Sequence, residues 1–264
     1  MNSGLKNRVV MLVGVGRPGA VPSNGRATAC AFADAGARLA LVDNSQESLD
    51  ECADDIRKSG GTALAVLADI TQEAQVRQAV DSCLAQFGRI DVLHFNVAIP
   101  QFGRVTRVST EEVDRVFAIN AKSAVLLAKH VLPVMESQNS GVITHVSSVS
   151  GLRHIGVSSP LYDMSKAALG GLTRHIAVQY GPKGIRANTL VLGMLDTPLA
   201  RDAISQSGRD LESIYESYLS KIPAGRMGQA RDVAEAAIFL ASDSAGYING
   251  AEIVVDGGLI QKAG

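Results

Sequence analysis

Neither sign of charge predominates in this chain: 25 Lys and Arg stand against 26 Asp and Glu, a formal net charge of −1 over 264 residues, and the basic residues are dispersed. That balance gives no electrostatic case for nucleic acid or an anionic membrane and leaves a small molecule as the expected partner. Cysteine is scarce. Cys30, Cys52 and Cys83 are odd in number, widely spaced and on predicted helices, with no Cys-x-x-Cys pair to hold a metal or a redox disulfide. They read as buried, reduced thiols of a cytoplasmic protein. Long apolar runs are missing as well, since none approaches the ~18 residues of a membrane helix. Lys6 and Arg8 before Val9–Val13 have a faint look of a secretion signal, but the run is short and no small-x-small cleavage site follows. A first strand is the reading adopted. No Pro/Gly/Ser-rich linker, low-complexity tract or internal repeat divides the chain, and its length suits one large α/β domain, residues 1–264.

What is present is an alternation. Short apolar, β-branched runs near 8–14, 38–43, 63–68, 90–95, 141–147, 185–192 and 252–255 are separated by helical patterns near 24–35, 45–58, 72–86, 109–135, 160–181 and 230–242. Repeated β–α units imply a largely parallel, seven-stranded sheet covered on both faces. Right-handed crossovers make it a doubly wound, Rossmann-like sheet with its ligand crevice beyond the carboxyl ends of the strands. The stretch 194–228 differs in texture: Pro198, Gly208, Pro223 and Gly225 surround a polar helical segment with Tyr215 and Tyr218, which suits a mobile lid. His94 and His145 fall in predicted strands, as core histidines with satisfied nitrogens. No His/Cys/Asp spacing suggests a zinc site, so no metal is expected, and no Gly-x-Ser-x-Gly elbow suggests a hydrolase.

Chemistry concentrates in Tyr162-Asp163-Met164-Ser165-Lys166, 14 residues after Ser148 and 42 after Asn120. Ser159 and Pro160 make an N-cap and first-turn pair, and Leu161, Ala168, Leu169, Leu172 and Ile176 give the periodicity of a packed helix. Tyr162 and Lys166 then share one face at i and i+4. A free phenol, with pKa near ~10, is a poor acid–base group at neutral pH; a cation about 4 Å away at an effective dielectric of ~20 contributes up to ~4 kcal/mol, or roughly three pKa units. The same spacing also arises by chance on solvated helix faces, so its company decides its meaning.

That company begins after the first strand. Gly14, Gly16 and Gly19 spell a literal Gly-x-Gly-x-x-Gly, a turn whose backbone N–H groups and following helix N-terminus can approach a pyrophosphate. Pro18 and Pro22 place the helix start only at Ser23 or Asn24, so the literal match is partly accidental. Asp43 closes the second strand, where a carboxylate accepts hydrogen bonds from ribose hydroxyls and repels a 2′-phosphate; it also serves as a cap for the next helix. Asp69, with Ile70 beside it, is placed either to hold an adenine or to make a turn and helix start. Arg17 is the one group here suited to a 2′-phosphate, so NAD is favoured over NADP.

Together these residues resemble the short-chain dehydrogenase/reductase family over almost the entire chain. Asn120, Ser148, Tyr162 and Lys166 match its tetrad, and Gly250–Gly258 is similar to its final strand. The resemblance implies hydride transfer between NAD(H) and a secondary alcohol or ketone, with Tyr162 as acid/base. It also implies Lys166 on the nicotinamide ribose, Ser148 (or its rival Ser147) on the substrate oxygen, Asn120 positioning a water, and a homotetramer with α-helical interfaces near 109–135 and 160–181. Departures are visible. The glycine turn is stretched by about five residues with Ser23 at its expected middle glycine, Asn-Asn-Ala-Gly appears as Phe95-Asn96-Val97-Ala98, and Pro-Gly has become Leu192-Gly193 with Thr197 retained for a nicotinamide amide. They leave open a second expectation, a catalytically weak cofactor-binding sensor or scaffold. Arg153, His154, Ile155, Met194, Leu195, Tyr215 and Tyr218 are the candidate pocket or lid residues.

Overall fold

The computed structural model describes residues 4–19, 21–206 and 210–262. Gly208, part of the expected lid, lies outside them. Seven strands, β1 (Val9–Val13), β2 (Arg38–Asp43), β3 (Thr62–Leu67), β4 (Val92–Phe95), β5 (Gly141–Ser148), β6 (Ile185–Leu192) and β7 (Glu252–Val255), form one sheet in the order β3-β2-β1-β4-β5-β6-β7. Every neighbouring pair is parallel. The expected doubly wound single domain is therefore what the chain forms.

Period-two alternation explains the two cores. In β1, Val9, Met11 and Val13 enter the cluster on one face while Val10 and Leu12 enter the other, so the strand reads as an unbroken apolar run. The helices α1 (Asn24–Asp34), α2 (Gln46–Lys58) and α9 (Ala230–Ala241) pack on the second face; α3 (Glu73–Phe87), α5 (Ser123–Gln138) and α6 (Pro160–Tyr180) cover the first. Strand order reverses between β1 and β4, whose carboxyl ends meet at the Val13–Phe95 register. A crevice at that switch point is where this topology binds ligands.

The expected helix near 109–135 forms and runs on to Gln138, with one change of pitch within it. The 109–135 pattern forms α4 (Thr110–Phe117), a π-helical turn at Ala118–Lys122, and α5. A wider turn inserts a residue without ending the helix, and here it directs the fully buried Asn120 into the domain. The passage Thr110–Gln138 is long and apolar enough to cross a membrane, yet half of its most apolar window is buried inside the fold, where that apolarity serves the core. Between β6 and α9 run two short helices, α7 (Pro198–Gln206) and α8 (Leu211–Leu219).

Candidate functional site

The first loop keeps its glycines for two different reasons. Gly14, Gly16 and Gly19 have φ of 91°, 87° and 133°, all in the region that side chains disfavour. A Cβ on Gly14 would meet the Val97 side chain at 2.7 Å and one on Gly16 would run into Ser23, whereas one on Gly19 would meet nothing within 4 Å. Gly19 instead lies out against α2: its N–H donates to Glu51 (3.2 Å), and its carbonyl accepts from Arg26 (3.1 Å). Arg26 also holds Glu51 (2.6 Å) and Asp55. The third close approach belongs to Gly25, in the first turn of α1, where a Cβ would collide with the Gly14 carbonyl. Gly25 was not among the expected site residues; its signal was a glycine directly inside a capped helix start, where no turn needs one.

Ser23 is the N-cap of α1, so the helix begins at Asn24 as expected. Its hydroxyl donates to the Val15 carbonyl (2.6 Å) and accepts from Arg26 N–H (3.3 Å), stitching the stretched loop closed from within. Asn24 keeps its Oδ1 buried without a partner. At the end of β2, the Asp43 carboxylate accepts from Gly16 N–H (3.3 Å) and Ser45 N–H (3.1 Å), and burial raises its pKa against the lowering effect of those bonds. Asn96 donates to the Gly14 carbonyl (3.0 Å) and so joins β4 to the loop.

Four other expected positions have structural work of their own. Asp69 accepts from Thr71 N–H (2.9 Å) and Oγ1 (2.7 Å), the turn alternative, and the Ile70 side chain is buried in the core, leaving only its backbone for a ligand. Gly193 is required by Asp256, whose Cα a Cβ would approach at 2.6 Å. Thr197 is buried, and its Oγ1 accepts from Ala200 N–H (3.3 Å) at the start of α7.

The tetrad does converge. Tyr162 and Lys166 lie one turn apart on α6, with Lys166 Nζ 5.9 Å from the Tyr162 ring centroid. Ser148, at the carboxyl end of β5, lies close enough to the phenol to lower its pKa, while its Oγ accepts from Ser150 N–H (3.3 Å) and Oγ (3.2 Å). Ser147 donates to the Lys166 backbone carbonyl (2.8 Å). Asn120 accepts from Ile99 N–H (2.8 Å) and donates to the Ile99 carbonyl (3.0 Å) and Ser165 Oγ (3.0 Å), so its side chain clamps the loop after β4.

The electrostatics differ from the helix-spacing argument. Lys166 is 2% exposed and donates to the Val146 (2.8 Å) and Val97 (3.3 Å) carbonyls, acceptors that the helix-spacing argument did not include. Burial pulls the ammonium down to about 7, and the two carbonyl acceptors act in the opposite sense by favouring the charged form. Burial likewise pushes the Tyr162 phenol up to about 12; the Ser148 bond lowers it and the Asp163 charge raises it.

Several surrounding expectations change. Arg153, exposed, donates from its guanidinium to the Ile260 carbonyl of the C-terminal turn. Leu195 is buried in the core cluster around α9 rather than lining a pocket. His94 has neither nitrogen satisfied, and His145 pairs only through Nδ1 with Thr173 (2.7 Å), because both sit wholly inside an apolar sheet. Cys30 is half-buried, unlike Cys52 and Cys83. Ala168 is exposed, off the packed face of α6.

Comparison with known proteins agrees with this geometry. A family model described as enoyl-(acyl carrier protein) reductase matches residues 19–260. A protein from Burkholderia xenovorans, described as a short-chain dehydrogenase/reductase, has a crystal structure that superposes with a TM-score of 0.96 at 37% identity, covering 99% of this chain and 100% of that one. Levodione reductase of Leifsonia aquatica is 36% identical over 256 residues, 96% of this chain and 94% of that protein. A gluconate 5-dehydrogenase from Burkholderia cenocepacia, crystallised with NADP and tartrate, superposes with a TM-score of 0.89 at 28% identity, covering 99% of each chain.

Proposed function

This chain belongs to the short-chain dehydrogenase/reductase family, oxidoreductases that use a nicotinamide cofactor, and from that premise we propose an NAD-dependent dehydrogenase or reductase of a secondary alcohol or ketone. The observation that carries the reading is the Lys166 amine 5.9 Å from the centre of the Tyr162 ring, one turn away on α6, with Ser148 of β5 beside the phenol.

The residues present fit a dinucleotide. Gly14, Gly16 and Gly25 let the loop pack closely against Val97, Ser23 and the start of α1, and α1 has no acidic residue in its first turn to oppose a pyrophosphate at its N-terminus. Gly19, out against α2, would contribute only the loop's shape. Ser23 and Asn24 stand at that terminus, Asp43 would take the ribose hydroxyls, and Asp69, Ile70, Asn96, Gly193 and Thr197 would border the rest. The Asp43 carboxylate is the ground for NAD over NADP, and Arg17 is already engaged by Asp202. When bound, the nicotinamide supplies or accepts the hydride.

The chain's own groups handle the proton. Tyr162 Oη takes it from a substrate hydroxyl in oxidation and returns it to the carbonyl oxygen in reduction, while Ser148 Oγ donates to the same oxygen and stabilises its developing charge. With the cofactor bound, Lys166 would favour the phenolate and hold the nicotinamide ribose, and Asn120 would position a water between Lys166 and solvent. A phenol at about 12 rests protonated and is a weak acid, so turnover in either direction requires its pKa to fall in the loaded site. Segment 194–228 acts as the lid: Asp196 accepts from Tyr215 (2.6 Å) and Arg201 (2.7 Å), and the Arg17–Asp202 pair ties α7 to the first loop. A homotetramer in the cytoplasm completes the proposal, supported by the exposed Val125, Met164 and Val178 on α5 and α6 and by three free cysteines.

NADH fluorescence, undisturbed in a chain without tryptophan, tests binding, with NADPH as the competitor expected to bind more weakly. Turnover is tested over a panel of alcohols and ketones. Tyr162→Phe is expected to keep NADH affinity within about twofold and to lose at least about 99% of turnover; undiminished activity refutes the role. Tight NADH binding without turnover over the panel would favour the sensor reading, which the high phenol pKa supports.

A further inference from the structure

Pro160 lacks an N–H, and the side chain of Ser159 does not cap the backbone of α6; its hydroxyl donates to the Asp163 carboxylate (2.7 Å) instead. The orphan N–H of Leu161, immediately before Tyr162, is taken by Gln101 Oε1 (3.2 Å) from the loop after β4. Gln101 is 7% exposed, and its Nε2 donates to the Phe102 carbonyl (3.0 Å). Beyond it, Gly103 N–H donates to the Ser158 carbonyl (2.9 Å) and Ser158 Oγ to the Gly103 carbonyl (2.7 Å), so the two loops are zipped side by side.

The same loop touches each part of the site in turn. Asn96 holds the Gly14 carbonyl, Val97 accepts from Lys166, Ile99 is clamped by Asn120, and Gln101 ends the run at the first turn of α6. We propose that Gln101 is a positioning residue: by holding the Leu161 N–H it sets the first turn of α6 and hence the placing of the Tyr162 phenol against Ser148. This rests on the dehydrogenase reading for its catalytic consequence, though not for the placement itself.

Two substitutions separate acceptor from bulk. Gln101→Met keeps the length and removes the acceptor; Gln101→Glu keeps the acceptor and, while protonated, the donor to Phe102 as well. Gln101→Met is expected to lower kcat about tenfold with KM and NADH affinity within about twofold. Gln101→Glu is expected to restore most of kcat near about pH 6, where a buried carboxyl stays neutral, and less near about pH 9. Independently of turnover, the 13Cζ resonance of Tyr162, identified by its loss in Tyr162→Phe, should move in Gln101→Met and return in Gln101→Glu at the lower pH. A Tyr162 resonance left unmoved by Gln101→Met overturns the proposal, as does a kcat loss matched by an equal loss of NADH affinity. Should Gln101→Met not fold, the pH dependence of Gln101→Glu decides: its presence supports the role and its absence overturns it. A moving resonance in a protein that turns over nothing sinks the dehydrogenase reading and leaves the placement standing.

Discussion

At the scale of single residues, Lys166 shows how much a pair of side chains owes to backbone that the sequence does not reveal. Spacing alone put an amine and a phenol on one helix face, and that is where they are. The competing acceptors are the carbonyls of Val146 and Val97, brought in by β5 and by the loop after β4, and no local pattern announces them. Lys166→Met should therefore do two things at once. Without the ammonium, turnover is expected to fall by about 100-fold or more, and two inward-facing carbonyls lose their donor, which costs about 1–3 kcal/mol in urea denaturation. A variant as stable as the parent would show that the carbonyl contacts contribute nothing. Ser147 and Ser148 teach the same lesson: both were eligible by sequence, and only the register of β5 against α6 turned one inward to the Lys166 carbonyl and the other toward the phenol.

Among the elements, the first loop and α1 carry the clearest test. The positions of the strands along the chain were legible as short apolar, β-branched runs, and helix starts at Asn24 and Pro160 were legible from Ser and Pro chemistry. The π turn at Ala118–Lys122 was not, since an apolar helical period continues across it and nothing like proline or glycine marks it. Nor was the division of labour among the glycines. A literal motif counted Gly14, Gly16 and Gly19, whereas close packing selects Gly14, Gly16 and Gly25. Gly25→Ala is accordingly expected to weaken NADH binding by about tenfold or more, because the α1 start must shift away from the Gly14 carbonyl. Gly19→Ala has open space around it and only its φ of 133° to oppose it; about 1–3 kcal/mol of backbone strain is expected, with NADH affinity within about threefold. Titration of both variants alongside urea melts distinguishes the two, and equal losses of affinity would mean that the extension itself contacts the dinucleotide.

For the molecule as a whole, stability should depend on pH through two histidines at the centre of the sheet. His94 on β4 and His145 on β5 pack edge-on against Phe32 and Phe95 respectively, with ring centroids 6.1 Å apart in each pair. Burial pulls His94 down to about 4 and His145 to about 3; the nearby Lys166 charge depresses His145 further. Both stay neutral in the folded chain while the unfolded chain takes up protons near the ordinary value of about 6.5. Below that pH the unfolded state binds more protons than the folded one, so stability is fully present above about 6.5 and is lost as pH falls toward about 4, with a slope from the pair approaching about 3 kcal/mol per pH unit. His94→Gln should remove one proton from that difference. Urea melts between about pH 6 and pH 4.5 are then expected to show a slope smaller by about 1.4 kcal/mol per unit than the parent's. An unchanged slope would mean that the folded sheet admits a charged imidazole at position 94, and the surrounding apolar core would have to open to allow it.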